Sequence, residues 1–147
     1  MNSETREAIR TAFESMLEAN PYYEFIGFDV ESVEEETVHI SVPYTEDTEA
    51  PRVSAGGIHG GIIATLVDSV GAASVIAWRG EPVTLVTEDL SVTFHDGATE
   101  DVVAEGRVVS GGSTLVTARV DVYPKSEHGD PDPTPVATGS TTARLFE

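Results

Sequence analysis

The chain contains no cysteine among its 147 residues. Disulfide bonds, thiolate metal sites and a cysteine nucleophile are therefore excluded. Basic residues are also scarce, because 8 lysines and arginines stand against 26 acidic residues, and Lys125 is the single lysine. The resulting net charge of −18 repels phosphate backbones and anionic lipid. Neither nucleic acid nor a membrane surface is therefore expected as a partner.

The acidic residues are spread along the whole chain rather than gathered in one block. Such a surface is typical of proteins that stay hydrated in a high-salt cytoplasm, where counter-ions screen the self-repulsion. The alternative, an acidic chain attracted to a basic partner, would favour blocks of like charge. The first residues show neither a basic segment nor an apolar segment of the kind that directs export, so a cytoplasmic location is expected.

Long apolar runs are rare as well. The longest covers residues 62–78, which is short for a membrane span, and it contains Asp68 and two serines. It is better explained as a core helix. The chain is 39% hydrophobic, which is enough for one domain over residues 1–147.

The remaining pattern predicts a helix, two strands, the long apolar helix and then four strands. Ser3 is expected to cap the first helix, and Asn20-Pro21 is expected to end it. Residues 22–28 are interpreted as a connection into the first strand. The strands are expected at about residues 26–33, 36–43, 83–95, 101–110, 114–123 and 136–146. Strands that can pair as hairpins around one apolar helix indicate an α+β fold, an antiparallel sheet wrapped around that helix.

Two glycine pairs flank a histidine directly before the apolar helix, in the order Gly56-Gly57-Ile58-His59-Gly60-Gly61. The first amide N–H groups of a helix have no intrahelical partner and lie at the positive end of its dipole. Gly60 and Gly61 have no Cβ atom, so a ligand can approach these amides closely. A carbonyl oxygen that gains negative charge during a reaction would be stabilised there.

Asp68 is a charged residue inside this apolar helix, where it is costly unless it is paired, solvated or used. It follows Gly60 by eight residues, about 12 Å along one helix axis. One ester or thioester carbon cannot contact both, so joint action requires two copies of the chain. The small face formed with Ala64 and Ala72 would leave room for a substrate. The alternatives are that Asp68 has only a structural role and that His59 only caps the helix.

The spacing Gly56-x-x-His59-Gly60-Gly61 with Asp68 resembles the hotdog-fold acyl-CoA thioesterases of the phenylacetate-pathway (PaaI-like) type. The resemblance continues through residues 87–94 and ends in the strand at residues 136–140. It implies a hotdog fold and hydrolysis of an acyl-CoA to the free acid and CoA. It also implies a homodimer or homotetramer and no metal or redox cofactor.

The family's site residues can be placed one by one. The resemblance assigns the amide that polarises the thioester carbonyl to Gly60, and the nucleophile or base to Asp68 of the opposite subunit. Thr87 corresponds most nearly to the residue that helps to place water, and His59 shapes the start of the helix. The family often has an asparagine six residues before the histidine, where this chain has Val53. The chain thus departs from the family at one substrate-orienting position, but not at the central pair Gly60 and Asp68.

Two other functions remain open. A hotdog dehydratase would favour a differently placed His/Asp or His/Glu pair, which this helix lacks. A non-catalytic acyl-CoA-binding or regulatory module is the second alternative; against it, one fold uses the whole chain without a helix-turn-helix, and the negative charge opposes DNA. The sequence contains no Gly-x-Ser-x-Gly elbow and no phosphate-binding loop. The histidines at positions 39, 59, 95 and 128 are far apart and lack the spacing of metal ligands.

Overall fold

A computed structural model describes residues 1–51 and 56–146. Its helices and strands, in chain order, are α1 (Ser3–Ala19), α2 (Pro21–Ile26), β1 (Asp29–Val33), β2 (Val38–Val42), α3 (Gly60–Arg79), β3 (Thr84–Phe94), β4 (Val102–Gly111), β5 (Leu115–Pro124) and β6 (Ala137–Phe146). The strands form one antiparallel sheet in the order β1-β2-β4-β5-β6-β3. The predicted α+β hotdog arrangement of a sheet around a long helix is confirmed.

The N-terminal region differs from the prediction in two details. Asn2 caps α1, because its side chain accepts a hydrogen bond from the Thr5 N–H (2.8 Å), while Ser3 is already helical. The expected connection at residues 22–28 contains the short helix α2. Asn20 caps this helix, Pro21 occupies its first turn and Gly27 ends it with a φ of 89°. Strand β1 therefore begins at Asp29 rather than at residue 26.

Helix α3 lies close against the sheet. Leu66, Val67 and Val70 are fully buried. A Cβ atom at Gly71 would lie 2.3 Å from the Thr141 hydroxyl oxygen, so only glycine permits this approach between helix and strand. By length and composition α3 could cross a membrane, but half of it is buried inside the molecule, which is the position of a core helix.

One side of α3 remains partly exposed. The apolar sequence of this helix predicts a core helix, and in the single chain only part of its surface is covered. Gly60, Ala64, Asp68 and Ala72, spaced four residues apart, all remain partly accessible to solvent. We call these four residues the open stripe.

Strand β3 is an edge strand of eleven residues. Its pairing with β6 shifts by one residue between Thr87 and Asp89, which is a β-bulge. After the bulge, Leu90 and Phe94 face the helix side, because their partners on β6 are buried there. Leu90 is nevertheless 42% exposed and Phe94 is 54% exposed. A long, apolar, uncovered edge of this kind is a ready surface for pairing with another strand.

Candidate active site

His59 caps helix α3 with its side chain. Its Nδ1 atom accepts a hydrogen bond from the Gly61 N–H at 2.9 Å. The Gly61 amide is therefore already occupied. The Gly60 N–H has no hydrogen-bond partner within residues 1–51 and 56–146. Of the two glycine amides considered from the sequence, that of Gly60 is free to bind a ligand.

The loop before α3 is fixed by backbone contacts on both sides. The Ile58 N–H donates to the Ala98 carbonyl (2.9 Å), and the His59 N–H donates to the Thr48 carbonyl (2.8 Å). Gly57 has a φ of 92°, and a Cβ atom there would lie 2.9 Å from the Ala98 backbone. The direction of the Gly60 N–H is thus set by its surroundings before any ligand binds.

Phe94, at the end of β3, forms an apolar wall beside Gly60. The tip of its ring would lie 3.3 Å from a Cβ atom at position 60. Any side chain at this position would have to displace the ring. The free amide therefore lies at the start of a helix, next to an aromatic ring.

Asp68 is partly buried and hydrogen-bonded to Thr87. The Thr87 hydroxyl donates to the Asp68 Oδ1 atom at 2.7 Å. Thr87 comes directly before the bulge of β3, so the fold places these two predicted site residues in contact. The bond to a charged acceptor fixes the rotamer of the carboxylate. The role expected for Thr87 in placing water remains a prediction.

Gly60 and Asp68 belong to one unbroken helix, so about 12 Å of helix axis separates them within a chain. Ala64 lies midway on the open stripe and leaves the space between them clear. Val53, at the position of the family's usual asparagine, lies outside the described residues. Within one chain, therefore, the two groups expected to act on one thioester do not meet.

Helix α2 adds residues that sequence reasoning missed. The Thr65 hydroxyl donates to the Gly61 carbonyl (2.9 Å) and is 2.7 Å from the Tyr22 hydroxyl, which must then be the donor. The Ser69 hydroxyl donates to that of Tyr23 (3.4 Å). Two tyrosines thus border the side of α3 that carries Asp68. The signal was present in the sequence, because Asn20-Pro21 can start a helix as well as end one.

A polar cluster lies on the opposite face of the sheet. His39 is 2.9 Å from Glu105, and the rings of His39 and His128 are 5.2 Å apart, so these two histidines are closer in space than the sequence indicated. Burial, together with Glu105 and Asp121, raises the pKa of Tyr123 to about 12. Among the described residues no three His, Asp or Glu side chains are arranged to hold a metal ion.

Comparison with known proteins shows the family to which this chain belongs. A family model described as "Thioesterase superfamily" matches residues 55–129, from the loop before α3 to the turn after β5. The chain belongs to the thioesterase superfamily. A Halobacterium salinarum protein named "Putative esterase" is 34% identical over 124 residues, which are 83% of this chain and 82% of that protein.

Two further proteins are similar to this thioesterase, one in sequence over about half of its length and one in fold. Mouse acyl-coenzyme A thioesterase 13 is 35% identical over 74 residues, 48% of this chain and 51% of that protein. The structure of the Escherichia coli PaaI protein from the phenylacetic acid degradation operon superposes with a TM-score of 0.79, covering 97% of this chain and 96% of that one. At 14% identity this likeness concerns the fold alone. The thioesterase thus has the hotdog fold that PaaI shares, and its activity class is thioester hydrolysis.

Proposed function

We propose that this thioesterase hydrolyses an acyl-CoA to the free acid and CoA, in the cytoplasm, as a homodimer. The observation that carries the proposal is the open stripe of α3. It presents a free Gly60 N–H at one end and the Thr87-bound carboxylate of Asp68 about 12 Å further along. The similarity to an acyl-coenzyme A thioesterase supports the choice of thioester.

The exposed edge of β3 suggests how two chains associate. Residues that lie opposite each other on antiparallel strands point to the same face of a sheet. Leu90 and Val92 both face the helix side. Strand β3 can therefore pair with β3 of the partner subunit so that Leu90 lies opposite Val92 of the partner subunit. This symmetric pairing is centred on Ser91. The bulge then brings Thr87 beside Phe94 of the partner subunit.

This pairing would complete two equivalent sites. Thr87 contacts Asp68, and Phe94 contacts Gly60 within each chain. Bringing Thr87 beside Phe94 of the partner subunit therefore places the carboxylate of one chain near the free amide of the other. Two groups that are too distant along one helix become neighbours across the twofold axis. A tetramer could form from two such dimers without changing these sites.

The chemistry divides between the two subunits. The thioester carbonyl oxygen accepts a hydrogen bond from the Gly60 N–H. This hydrogen bond stabilises the negative charge that develops on the oxygen. As a base, Asp68 removes a proton from water, the water oxygen attacks the carbonyl carbon, and the leaving CoA sulfur receives the proton. As a nucleophile, its carboxylate displaces CoA to form an anhydride, which water then hydrolyses.

Replacing Asp68 with asparagine tests the proposal. Release of free thiol from acyl-CoA should fall by about 10²–10⁴-fold, while binding of acyl-CoA is retained. The matched control is Asp132→Asn, in an exposed loop, which should leave the rate unchanged. Retained hydrolysis in Asp68→Asn would refute the assignment. After a single turnover in ¹⁸O-water, label in the Asp68 carboxylate would identify the nucleophile route, with water attacking the Asp68 carbonyl carbon of the anhydride.

A further inference from the structure

An apolar cleft runs between α1 and α3. Its inner part is a cavity of about 90 Å³, lined in part by Phe13, Met16, Tyr23, Ser69, Ala72 and Ile76. Its outer part is a groove of about 480 Å³ that ends near Pro82 and Val83. Phe13, Met16 and Ile76 line both parts, so the cavity and the groove adjoin each other.

The inner end of the cleft lies next to the candidate carboxylate. Ala72 follows Asp68 by one helical turn, so the two side chains are neighbours on the surface of α3. Ala72 also lines the inner cavity. Along this row of the helix, the small methyl group of Ala72 lies next to both the carboxylate and the cleft. A larger residue there would close the opening.

The lining suits a hydrocarbon rather than a polar group. Its polar members at the inner end, Ser69 and Tyr23, are hydrogen-bonded to each other. Glu4 lies at the far end of the outer groove, where it disfavours phosphate. From Ser69 to Gly80 the cleft follows eleven residues of α3, about 16 Å of helix.

The dimensions distinguish between acyl groups. Apolar protein cavities of about 150 Å³ accommodate a benzene ring. The inner cavity, at about 90 Å³, is smaller than this, whereas the whole cleft is long. A small inner cavity that adjoins a long apolar groove fits an unbranched chain better than an aromatic ring.

We propose that this cleft binds the acyl chain of the substrate and that the substrate is a linear acyl-CoA of medium or long chain. The proposal rests on the thioesterase function proposed above. Ala72 and Met16 determine which chains fit, Ala72 from the side of α3 and Met16 from the side of α1. The thioester carbon lies at Asp68, and the chain passes over Ala72 into the cleft.

Two substitutions narrow the cleft from opposite sides. Ala72→Leu blocks the opening, and Met16→Trp fills the groove from α1, where Met16 is 57% exposed and a larger ring can be accommodated without disturbing the core. Ala19→Leu, at an exposed position of α1 away from the cleft, is the matched control. The substrates are linear acyl-CoA thioesters from acetyl to palmitoyl, together with phenylacetyl-CoA.

The wild-type kcat/KM should rise with chain length and exceed that for phenylacetyl-CoA. Each narrowing variant should lower kcat/KM for the longest chains by at least about tenfold and change it for acetyl-CoA by less than about threefold. Melting temperature and elution volume verify that both variants fold and associate. Equal losses for all chain lengths in both variants, or a wild-type preference for phenylacetyl-CoA, would overturn the cleft assignment. A wild type that hydrolyses no thioester would instead refute the proposed function itself.

Discussion

At the level of single residues, the Thr87 hydroxyl determines how Asp68 is held, since it donates to the carboxylate at 2.7 Å. A hydrogen bond to a charged group contributes about 1.5–3 kcal/mol. Thr87→Val keeps the side-chain shape but removes the donor. We expect kcat to fall by roughly 10- to 100-fold with little change in KM, because the carboxylate loses its fixed rotamer.

The matched variant for this prediction is Thr87→Ser, which retains the hydroxyl and should restore most of kcat. Steady-state kinetics of thiol release on the two variants provide the measurement. If Thr87→Val were as active as Thr87→Ser, the hydroxyl would have no part in orienting Asp68.

Two glycines of α3 should respond differently to a methyl group. At Gly60 an added Cβ lies 3.3 Å from the ring of Phe94, which is half exposed and can move away. At Gly71 it lies 2.3 Å from the Thr141 hydroxyl oxygen, where Thr141 is buried. Gly60→Ala should therefore keep the melting temperature but lower kcat/KM by about tenfold or more, because the methyl group crowds the free amide.

Gly71→Ala is the structural counterpart and should cost about 1–3 kcal/mol in free energy of unfolding, since the helix must move from the sheet. Thermal unfolding and kinetics measured on the same samples separate the two effects. A Gly60→Ala variant that is fully active would remove the Gly60 amide from the candidate site.

At the level of helices and strands, the sequence predicted the elements with the strongest periodicity. Helix α3 and strands β3 to β6 lie within a few residues of their expected positions, because apolar runs and Gly-rich turns mark them clearly. Helix α2 was missed because a six-residue helix has no measurable periodicity. The bulge at Thr87 also has no sequence signature, although without it Leu90 and Phe94 would face away from α3.

The exposed edge of β3 allows a direct test of the proposed dimer. The chain has no cysteine, so Ser91→Cys introduces one thiol, and pairing centred on this residue would place it opposite its own copy. Directly opposed residues of antiparallel strands have Cα atoms about 4.5–5.5 Å apart, within the range of a disulfide. Mild oxidation should give a covalent dimer on non-reducing gels.

Thr84→Cys is the control for this experiment, because it is exposed on the same strand but lies seven residues from the expected centre. It should remain uncross-linked under the same conditions. Cross-linking of Thr84→Cys but not of Ser91→Cys would place the twofold axis elsewhere and separate Asp68 from the partner's amide.

At the level of the whole molecule, acidic residues far outnumber the cations that could neutralise them, 26 to 8. Lys125 illustrates how these cations are used, since it lies 2.8 Å from Glu31 and joins the segment after β5 to β1. Burial raises the pKa of Glu31, but hydrogen bonds from Lys125 and Ser41 outweigh it, so the pKa is lowered overall. A carboxylate without such an ion pair depends on counter-ions to screen its charge.

If this acidic surface is an adaptation to salt, both the fold and the association of the chain should depend on salt. The Debye length shortens from about 30 Å at 0.01 M to about 3 Å at 1 M, so dilute buffer exposes each chain to the repulsion of its own charges and of its partner's. We expect dissociation or unfolding below about 0.05 M KCl, and an intact, active dimer above about 1 M. Circular dichroism, light scattering and thiol release measured across this range test the prediction.

Sucrose, which favours compact states without screening charge, should not substitute for the salt. Full activity and an intact oligomer in dilute buffer would show that the acidic surface is not an adaptation to salt.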